Sequence, residues 1–362
     1  MRLKFFALIF TVSINLLTCQ LLAHSNGLRC LGGGEGGVPF ILKPNPLQID
    51  WRPLTTHYSV RDFVIHDFNC TLIYGSDNRS YRSLNLFDHS DVFTFEGSDT
   101  PISKVLDPTG RYLISEPSST QLWWFDRNTH LHSSLNIPGP NRETSHLFWD
   151  QSNLYTALID GRNSANTVVS IVRNDLQNNT SVPVCEFNVK GSWGVPGVVR
   201  GTAFPKASFY FTTGNIGRVS VLRLLEIDVR SCETHFLENG PEVNSPIRAV
   251  YEFSGFEGHV VLFAPPQNNI FWWNDTGCKY INTQDHELVA PSTQLPMLLG
   301  LSKEKTLALF DLNKMTQLPI GRGLKPLRIE EHSVGLSRNN LWVSSQFNGE
   351  GNQSLIEILL PN

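Results

Sequence analysis

The 362-residue chain is mildly acidic, with 29 basic and 33 acidic residues and a formal net charge of −4 at pH 7. Its sequence holds no basic cluster of the kind that displaces counterions from a phosphate backbone, so composition argues against nucleic-acid binding. Apolar residues make up 40% of the chain, which is enough for a buried core, and no stretch beyond residue 23 is long and apolar enough to cross a bilayer.

Residues 1–23 predict a secretion signal. Arg2 and Lys4 precede an apolar run from Phe5 to Leu17, which is the order of a basic n-region and an apolar h-region. We expect cleavage between Cys19 and Ala23, with an uncleaved signal anchor as the alternative. Cleavage would bring the net charge from −4 to −6, because Arg2 and Lys4 are the only charged residues removed. The expected location is therefore extracellular, with no membrane span after cleavage.

Residues 24–50 form a glycine-rich lead-in. The run from Gly32 to Gly37 formally matches the dinucleotide fingerprint G-x-G-x-x-G. Dinucleotide binding is excluded on physical grounds, because no strand leads into the run and Val38-Pro39 follows where a helix should begin. We interpret the run as a flexible segment, followed by a short strand at Val38 to Leu42.

Residues 51–362 form one repetitive domain. The stretch GRYLISEPSSTQLWWFD, Gly110 to Asp126, recurs without a gap 148 residues later as GHVVLFAPPQNNIFWWN, Gly258 to Asn274. Each copy is an apolar run, a turn and an apolar-aromatic run, which is typical of an antiparallel hairpin. We interpret seven such runs as the second strands of repeated units; they begin near Thr71, Arg111, Asn153, Ser208, His259, Thr306 and Leu341. The gaps between successive starts are 40, 42, 55, 51, 47 and 35 residues, and a period in the forties is the spacing of four-stranded propeller blades.

The repeat pattern of glycine, basic residue, apolar run, turn and apolar-aromatic run ending in Asp resembles the β-propeller superfamily. The resemblance is generic, because no WD dipeptide stands at the end of a predicted blade and the kelch and YWTD signatures are absent from the sequence. It implies an all-β fold, a β-propeller of seven four-stranded blades, with six and eight as alternatives. The last unit, His332 to Leu359, ends after its third strand. We expect the N-terminal strand at Val38 to Leu42 to pair with this blade and close the ring.

Each of the two long copies contains an aromatic triplet, Trp123-Trp124-Phe125 in the first and Phe271-Trp272-Trp273 in the second, and we expect these side chains to pack between blades. Alternation along a strand places Trp124 and Trp272 at equivalent positions of two blades. A stacking platform for a sugar is the functional alternative. We favour packing between blades, because strands covered on both faces are apolar throughout.

Five cysteines remain after cleavage, namely Cys30, Cys70, Cys185, Cys232 and Cys278. An odd number leaves at least one thiol free or paired between chains. The last three are spaced by 47 and 46 residues, which predicts the same position in three successive blades. Outer strands of neighbouring blades are too far apart for a disulfide, so we expect no direct pairing among these three. Pairing with Cys30 stays open.

Six Asn-x-Ser/Thr sequons predict N-glycosylation of an exported chain. They stand at Asn69, Asn78, Asn178, Asn179, Asn274 and Asn352. The overlapping pair Asn178 and Asn179 is expected to carry one glycan at most. We expect at least two of the six to be used.

Trp193 is the candidate ligand-binding residue. It lies in a Gly- and Pro-rich segment, Gly191 to Gly197, and loops on a rigid scaffold hold most binding residues. His130 and His132 share a strand face, which suits a metal ion, but spacing fixes no third ligand. We therefore predict no metal site.

Catalytic motifs are absent from the sequence, including G-x-S-x-G, H-E-x-x-H and C-x-x-C. We interpret the chain as a secreted, glycosylated binding module that holds an extracellular protein, a glycan or a small ligand through loops on one face. The alternative is a hydrolase that resembles the calcium-dependent propeller lactonases and esterases, with calcium at the channel mouth and a His or Glu as base. Calcium enters only under this alternative, and the sequence leaves open whether the chain is an enzyme.

Overall fold

The computed structural model describes most of the chain from residue 63 onward and three short stretches before it. The described residues are 38–39, 41–42, 51–54, 63–66, 71–75, 80–86, 88–96, 103–107, 109–118, 121–138, 144–150, 152–160, 166–190, 196–213, 220–237, 240–243, 246–264, 269–274, 277–283, 286–320, 324–329, 334–337, 340–347 and 353–360. The predicted signal segment lies outside them. In the described part of the chain, no helix is long and apolar enough to span a bilayer.

The regular elements are all strands. Three short strands come first, β1 (Val38–Pro39), β2 (Ile41–Leu42) and β3 (Trp51–Leu54). Blade 1 contains β4 (Phe63–His66), β5 (Thr71–Gly75), β6 (Ser80–Asn85) and β7 (Asp91–Glu96). Blade 2 contains β8 (Ser103–Leu106), β9 (Tyr112–Ser118), β10 (Gln121–Asp126) and β11 (Leu131–Asn136). Blade 3 contains β12 (Thr144–Trp149), β13 (Leu154–Asp160), β14 (Asn166–Asp175) and β15 (Thr180–Lys190).

The remaining strands form four more sheets. Blade 4 contains β16 (Gly197–Val198), β17 (Lys206–Thr213), β18 (Ser220–Asp228) and β19 (Thr234–Leu237), and β20 (Glu242–Val243) pairs with β18. Blade 5 contains β21 (Ile247–Glu252), β22 (His259–Phe263), β23 (Asn269–Asn274) and β24 (Gly277–Asn282). Blade 6 contains β25 (Glu287–Val289), β26 (Met297–Leu301), β27 (Leu307–Asp311) and β28 (Thr316–Ile320). Blade 7 contains β29 (Val334–Ser337), β30 (Asn340–Gln346) and β31 (Gln353–Leu359).

Seven sheets arranged as a ring confirm the predicted seven-bladed β-propeller. Seven apolar clusters fill the junctions between successive blades in the described residues. The junction between blades 7 and 1 is one of them, where Trp342 and Leu355 pack with Phe63 and Leu72. Middle strands such as β22 are buried on both faces, which explains why they are apolar throughout.

An N-terminal strand closes the ring, as predicted, but it is a different strand. β3 pairs antiparallel with β31, with Arg52 opposite Glu357, and supplies the fourth strand of blade 7. The predicted segment instead lies on two other blades. Val38–Pro39 pairs parallel with β24 of blade 5, and Ile41–Leu42 pairs parallel with β28 of blade 6. Both additions are fifth strands at outer edges.

The strand order of blade 6 also differs from the prediction. The run near Thr306 is its third strand, β27, because two strands, β25 and β26, precede it in the sheet. The other predicted second strands occupy the second position of their blades.

The turn between third and fourth strands repeats around the ring. Asp126, Asp175, Asp228 and Asp311 end or nearly end the third strand, and each side chain accepts hydrogen bonds from backbone N–H groups two or three residues on. The residue four positions after each Asp has a positive φ; these residues are His130, Asn179, Cys232 and Met315. Left-handed backbone at this point turns the chain back into the outer strand.

A disulfide joins Cys185 and Cys232, which corrects the expectation that these cysteines cannot pair. Their Cα atoms are 5.6 Å apart. The two positions are not equivalent, because Cys185 lies within β15 whereas Cys232 occupies the left-handed position of the turn in blade 4. The equivalent of Cys232 in blade 3 is Asn179. Cys278 is also disulfide-bonded. The predicted pairing of Cys30 lies outside the described residues.

Candidate functional site

Half-buried aromatic side chains lie against the apolar cluster between blades 2 and 3. Tyr112 begins β9, Trp124 lies near the end of β10, and Trp149 ends β12. Leu131, which is 64% exposed, begins β11 opposite Asp126 and so projects from the same face of blade 2 as Trp124. We call Tyr112, Trp124, Leu131 and Trp149 the aromatic corner. It lies at the end of the ring that carries the turns from first to second and from third to fourth strands.

An ion pair fixes one side of the aromatic corner. Arg111 Nη2 donates to Asp126 Oδ2 at 2.6 Å, and its guanidinium lies 4.8 Å from the centre of the Tyr112 ring. The Tyr112 ring in turn meets Trp124 edge to face, with centroids 5.9 Å apart. The hydrogen bonds from Arg111 lower the pKa of Asp126 to about 2, so this carboxylate is charged at neutral pH.

Two indole donors in the aromatic corner have no acceptor. Nε1 of Trp124 and Nε1 of Trp149 are both shielded from solvent, and neither has a hydrogen-bond partner in the described structure. A buried tryptophan N–H usually finds a partner, because leaving it unpaired forfeits its hydration. The corner therefore has unmet capacity to donate two hydrogen bonds.

The repeat provides an internal comparison. Trp272 occupies the position of Trp124 in blade 5, as the sequence predicted, and its Nε1 donates to the carbonyl oxygen of Glu257 at 2.7 Å. Its ring also packs against Phe256 and beneath the ammonium of Lys279. Blade 2 has Tyr112 where blade 5 has Val260, and the larger ring contacts Trp124 directly. The indole N–H of this tryptophan thus has an acceptor in blade 5, whereas in blade 2 it has none among the described residues.

A charged cluster links blades 4 and 5 at the same end of the ring. Lys206 Nζ lies 2.8 Å from Glu252 Oε1 and 3.3 Å from Glu226 Oε1, and His259 Nε2 lies 3.7 Å from Glu252 Oε2. Burial opposes the charge on Lys206, but its hydrogen bond to Glu252 and the two carboxylates raise its pKa above the ordinary value. We interpret this cluster of one lysine, two glutamates and a histidine as a structural link between blades.

His146 is a buried titratable side chain on β12, the first strand of blade 3. Burial lowers its pKa to about 4, so the ring is neutral at pH 7, and Nε2 lies 3.4 Å from the carbonyl oxygen of Thr202. The ring stacks on Phe148, which stacks on Tyr155. No group of three or more His, Cys, Asp or Glu among the described residues could hold a metal ion. The calcium-dependent hydrolase stays a hypothesis from sequence.

The predicted site residues are spread over several regions. Trp193 lies outside the described residues, as do three sequon asparagines, Asn69, Asn78 and Asn352. Asn178 and Asn179 are exposed in the turn before β15. Asn274 ends β23 with only 9% of its surface exposed, so it does not meet the exposure that a glycan requires in the folded chain.

His130 and His132 cover an aromatic row between blades 1 and 2. His132 lies 6.2 Å from Trp123 and His130 lies 6.3 Å from Phe125, measured between ring centroids. Trp123 itself stacks on Tyr81 of blade 1. The two histidines therefore share a side of blade 2, as expected, and their rings contact Trp123 and Phe125.

Sequence reasoning missed Trp149, Tyr112 and Leu131 as site residues. Trp149 follows an apolar run in a different repeat, and nothing in the linear order brings it to Trp124. An aromatic at the start of β9, where blade 5 has valine, was the available signal for Tyr112. The exposure of Leu131 depends on the free edge of β11, which only the sheet order reveals.

No protein-family model matches the sequence, and no curated protein matches it. The chain is similar to a solved structure described as "Structure of U3-55K", with 11% identity, 87% of this chain and 100% of that chain covered, and a TM-score of 0.55. It is also similar to "Crystal structure of RRP9 WD40 repeats", with 11% identity, coverage of 87% and 99%, and a TM-score of 0.53. At this identity the likeness supports the fold alone, a β-propeller.

Proposed function

We propose that the chain is a secreted, glycosylated propeller that acts as a recognition module. The Cys185–Cys232 disulfide supports export, because structural disulfides persist in oxidising compartments and are rare in the cytosol. The disulfide at Cys278 supports the same location. Propellers present loops and strand ends on a rigid ring, which suits binding to a partner.

The recognition surface in this proposal is the aromatic corner. The observation that carries it is the contrast between Trp124, whose indole N–H has no acceptor, and Trp272, whose N–H is paired. A buried donor without a partner costs about 1–3 kcal/mol, which a ligand regains if its acceptor enters between blades 2 and 3. The exposed Leu131 adds apolar surface on the same face of blade 2 as Trp124.

These features favour an extracellular protein segment over a glycan or a small ligand. A peptide supplies a carbonyl acceptor and an apolar side chain together, and the aromatic corner offers two donors with the Tyr112 ring, while Leu131 lies on the same face of blade 2 as Trp124. Trp193 remains a proposed second contact from its loop.

A binding screen tests the proposal with matched variants. The secreted protein is screened against displayed extracellular proteins and a glycan array, and each hit is measured again with Trp124→Phe, Trp149→Phe and Trp272→Phe. We expect a protein hit whose affinity falls at least about tenfold, or 1.4 kcal/mol, in the first two variants and is unchanged in the third. A hit that depends on Trp193 but not on Trp124 would overturn the corner assignment. Hits found only on the glycan array would overturn the proposal that the partner is a protein.

Export is tested separately. The chain is expressed with its own N-terminus in animal cells, and the secreted product is sequenced from its first residue. The expected start lies between Cys19 and His24, as a signal cleaved near Ala23 requires. Retention in the membrane fraction would favour the anchor, and a cytosolic product with reduced Cys185 and Cys232 would contradict secretion.

A further inference from the structure

The outer strand of blade 3 is the longest strand of the described chain. β15 has 11 residues and ends the sheet order β12-β13-β14-β15, so its outer side pairs with no described strand. Val182 and Val184 on this strand are 50% and 38% exposed. A long edge with exposed β-branched residues is a template for pairing with another chain.

Blades 5 and 6 show that the outer edges of this ring accept an added strand. β1 lies parallel to β24, and β2 lies parallel to β28. The chain thus pairs its own backbone with two residues of each of those edges. On β15, Pro183 removes one backbone donor and the register shifts between Pro183 and Cys185, so the edge left for strand addition lies on either side of this bulge.

The sequon pair lies immediately before β15. Asn178 is used by the turn, because its Nδ2 donates to Asp175 Oδ2 at 2.7 Å and its backbone N–H donates to Asp175 Oδ1 at 2.9 Å. Asn179 holds the left-handed position, with φ of 54°, and is exposed. No described residue engages its side-chain amide. Asparagine is one of the few residues other than glycine that adopts this backbone readily.

We infer that Asn179 carries an N-linked glycan that covers the outer edge of β15 and keeps it from pairing with a second copy of the chain. This inference rests on the proposed secretion. Asn179 precedes Val182 by three residues, about 10 Å along a strand, so the first sugars of a glycan reach the exposed valines. The molecule then protects its longest edge with carbohydrate and two other edges with its own N-terminal segment.

The modification uses an oligosaccharide diphosphate lipid as donor. Nδ2 of Asn179 forms a bond to the anomeric carbon of the sugar. The bond from that carbon to the diphosphate oxygen breaks, and its electron pair leaves with the diphosphate. One amide proton is released to the transferase.

Glycopeptide mapping tests the position. Enzymatic deglycosylation in heavy-oxygen water converts a glycosylated asparagine into labelled aspartate, which fragmentation locates. The expected label is on Asn179. A label on Asn178 alone, or a secreted protein glycosylated elsewhere and unlabelled at this pair, overturns this inference and leaves the proposed function intact. A chain that is neither exported nor glycosylated contradicts the proposed function itself.

The covering role is tested with a glycan-free variant that keeps the turn. In Asn178→Ser/Asn179→Gly, serine takes the place that Ser231 has in blade 4, and glycine suits the positive φ. We expect this variant to self-associate in sedimentation experiments under conditions in which the glycosylated protein is monomeric. Adding Val182→Lys should restore the monomer, whereas Leu131→Lys on β11 should not. A glycan-free variant that stays monomeric, or that is rescued equally by Leu131→Lys, overturns the covering role.

Discussion

At the scale of single residues, the two repeat copies show that equivalent positions need not have equivalent roles. Trp124 and Trp272 lie at the same point of their blades, which the ungapped repeat predicted. Their hydrogen bonding differs because neighbours on other strands and loops differ, with Tyr112 beside one and Phe256 beside the other. Such neighbours come from variable positions of the repeat, so the sequence alone does not reveal which tryptophan is unsatisfied.

Replacement of each tryptophan by phenylalanine separates these roles. Trp272→Phe removes a hydrogen bond to Glu257, whereas Trp124→Phe removes a donor that has no partner. Both changes delete similar ring surface, so we expect Trp272→Phe to lower the free energy of unfolding by about 0.5–1.5 kcal/mol more than Trp124→Phe. Denaturant unfolding of both variants measures the difference. Equal losses would mean that Trp124 is also paired.

The Asp126 carboxylate predicts a pH dependence. Its pKa falls from 3.8 to about 2 in the folded chain, chiefly because Arg111 donates to it. A depressed folded pKa gives stability that is present above about pH 4 and is lost as the pH falls toward 2. We expect the stability difference between wild type and Asp126→Asn to shrink across this window. A difference that stays constant from pH 6 to about pH 2.5 in urea unfolding would contradict the ion pair's contribution.

At the scale of elements, the outer hairpins follow from a local rule. An Asp near the end of the third strand and a left-handed residue four positions later recur in blades 2, 3, 4 and 6. Aligning Phe310-Asp311 with Phe125-Asp126 by this rule places β27 third in blade 6. The predicted order was wrong there because β25 has only three residues and leaves little periodic signal.

Substitutions at His130 test the turn rule. His130 is exposed and has φ of 61°, a conformation that asparagine tolerates and β-branched residues do not. We expect His130→Asn to leave stability unchanged within about 0.5 kcal/mol. His130→Val should cost about 1–2 kcal/mol, because valine is strained in left-handed backbone. Thermal unfolding of the two variants provides the measurement, and equal effects would show that the His130 ring contact with Phe125 matters more than the backbone.

At the scale of the whole molecule, the circular architecture was predictable because the period and the incomplete last unit are both visible in the sequence. The identity of the closing strand was not. Val38 to Leu42 is the more β-like run, whereas Trp51–Leu54 contains Pro53, which argues against a central strand. The closing strand is an outer edge, where a missing backbone donor is tolerated. The pairing of Cys185 with Cys232 was also missed, because their spacing suggested equivalent positions. In the structure Cys185 lies within β15, whereas Cys232 lies in the turn of blade 4.

A buried carboxylate anchors the closing strand. Glu357 on β31 is fully buried, Arg52 Nε of β3 donates to its Oε2, and Asn340 Nδ2 of β30 donates to its Oε1 at 2.6 Å. Arg52→Met would remove the guanidinium from this buried carboxylate and leave His89, whose Nε2 lies 3.8 Å from Glu357 Oε2, as the basic group beside it. The side chain of Arg52 is 53% exposed, so we expect a loss of about 2 kcal/mol, below the usual range for breaking a fully buried pair.

A double-mutant cycle decides whether this pair closes the ring. Glu357→Gln removes the charge that Arg52 neutralises, so Arg52→Met in the Glu357→Gln background should cost at least about 1 kcal/mol less than in the wild type. Loss of closure should also speed amide hydrogen exchange in β3 and leave β11, the fourth strand of blade 2, unchanged. Zero coupling between the two substitutions, or equal acceleration in β3 and β11, would show that the ring is held by the apolar junction between blades 7 and 1 and that the ion pair adds nothing to its closure.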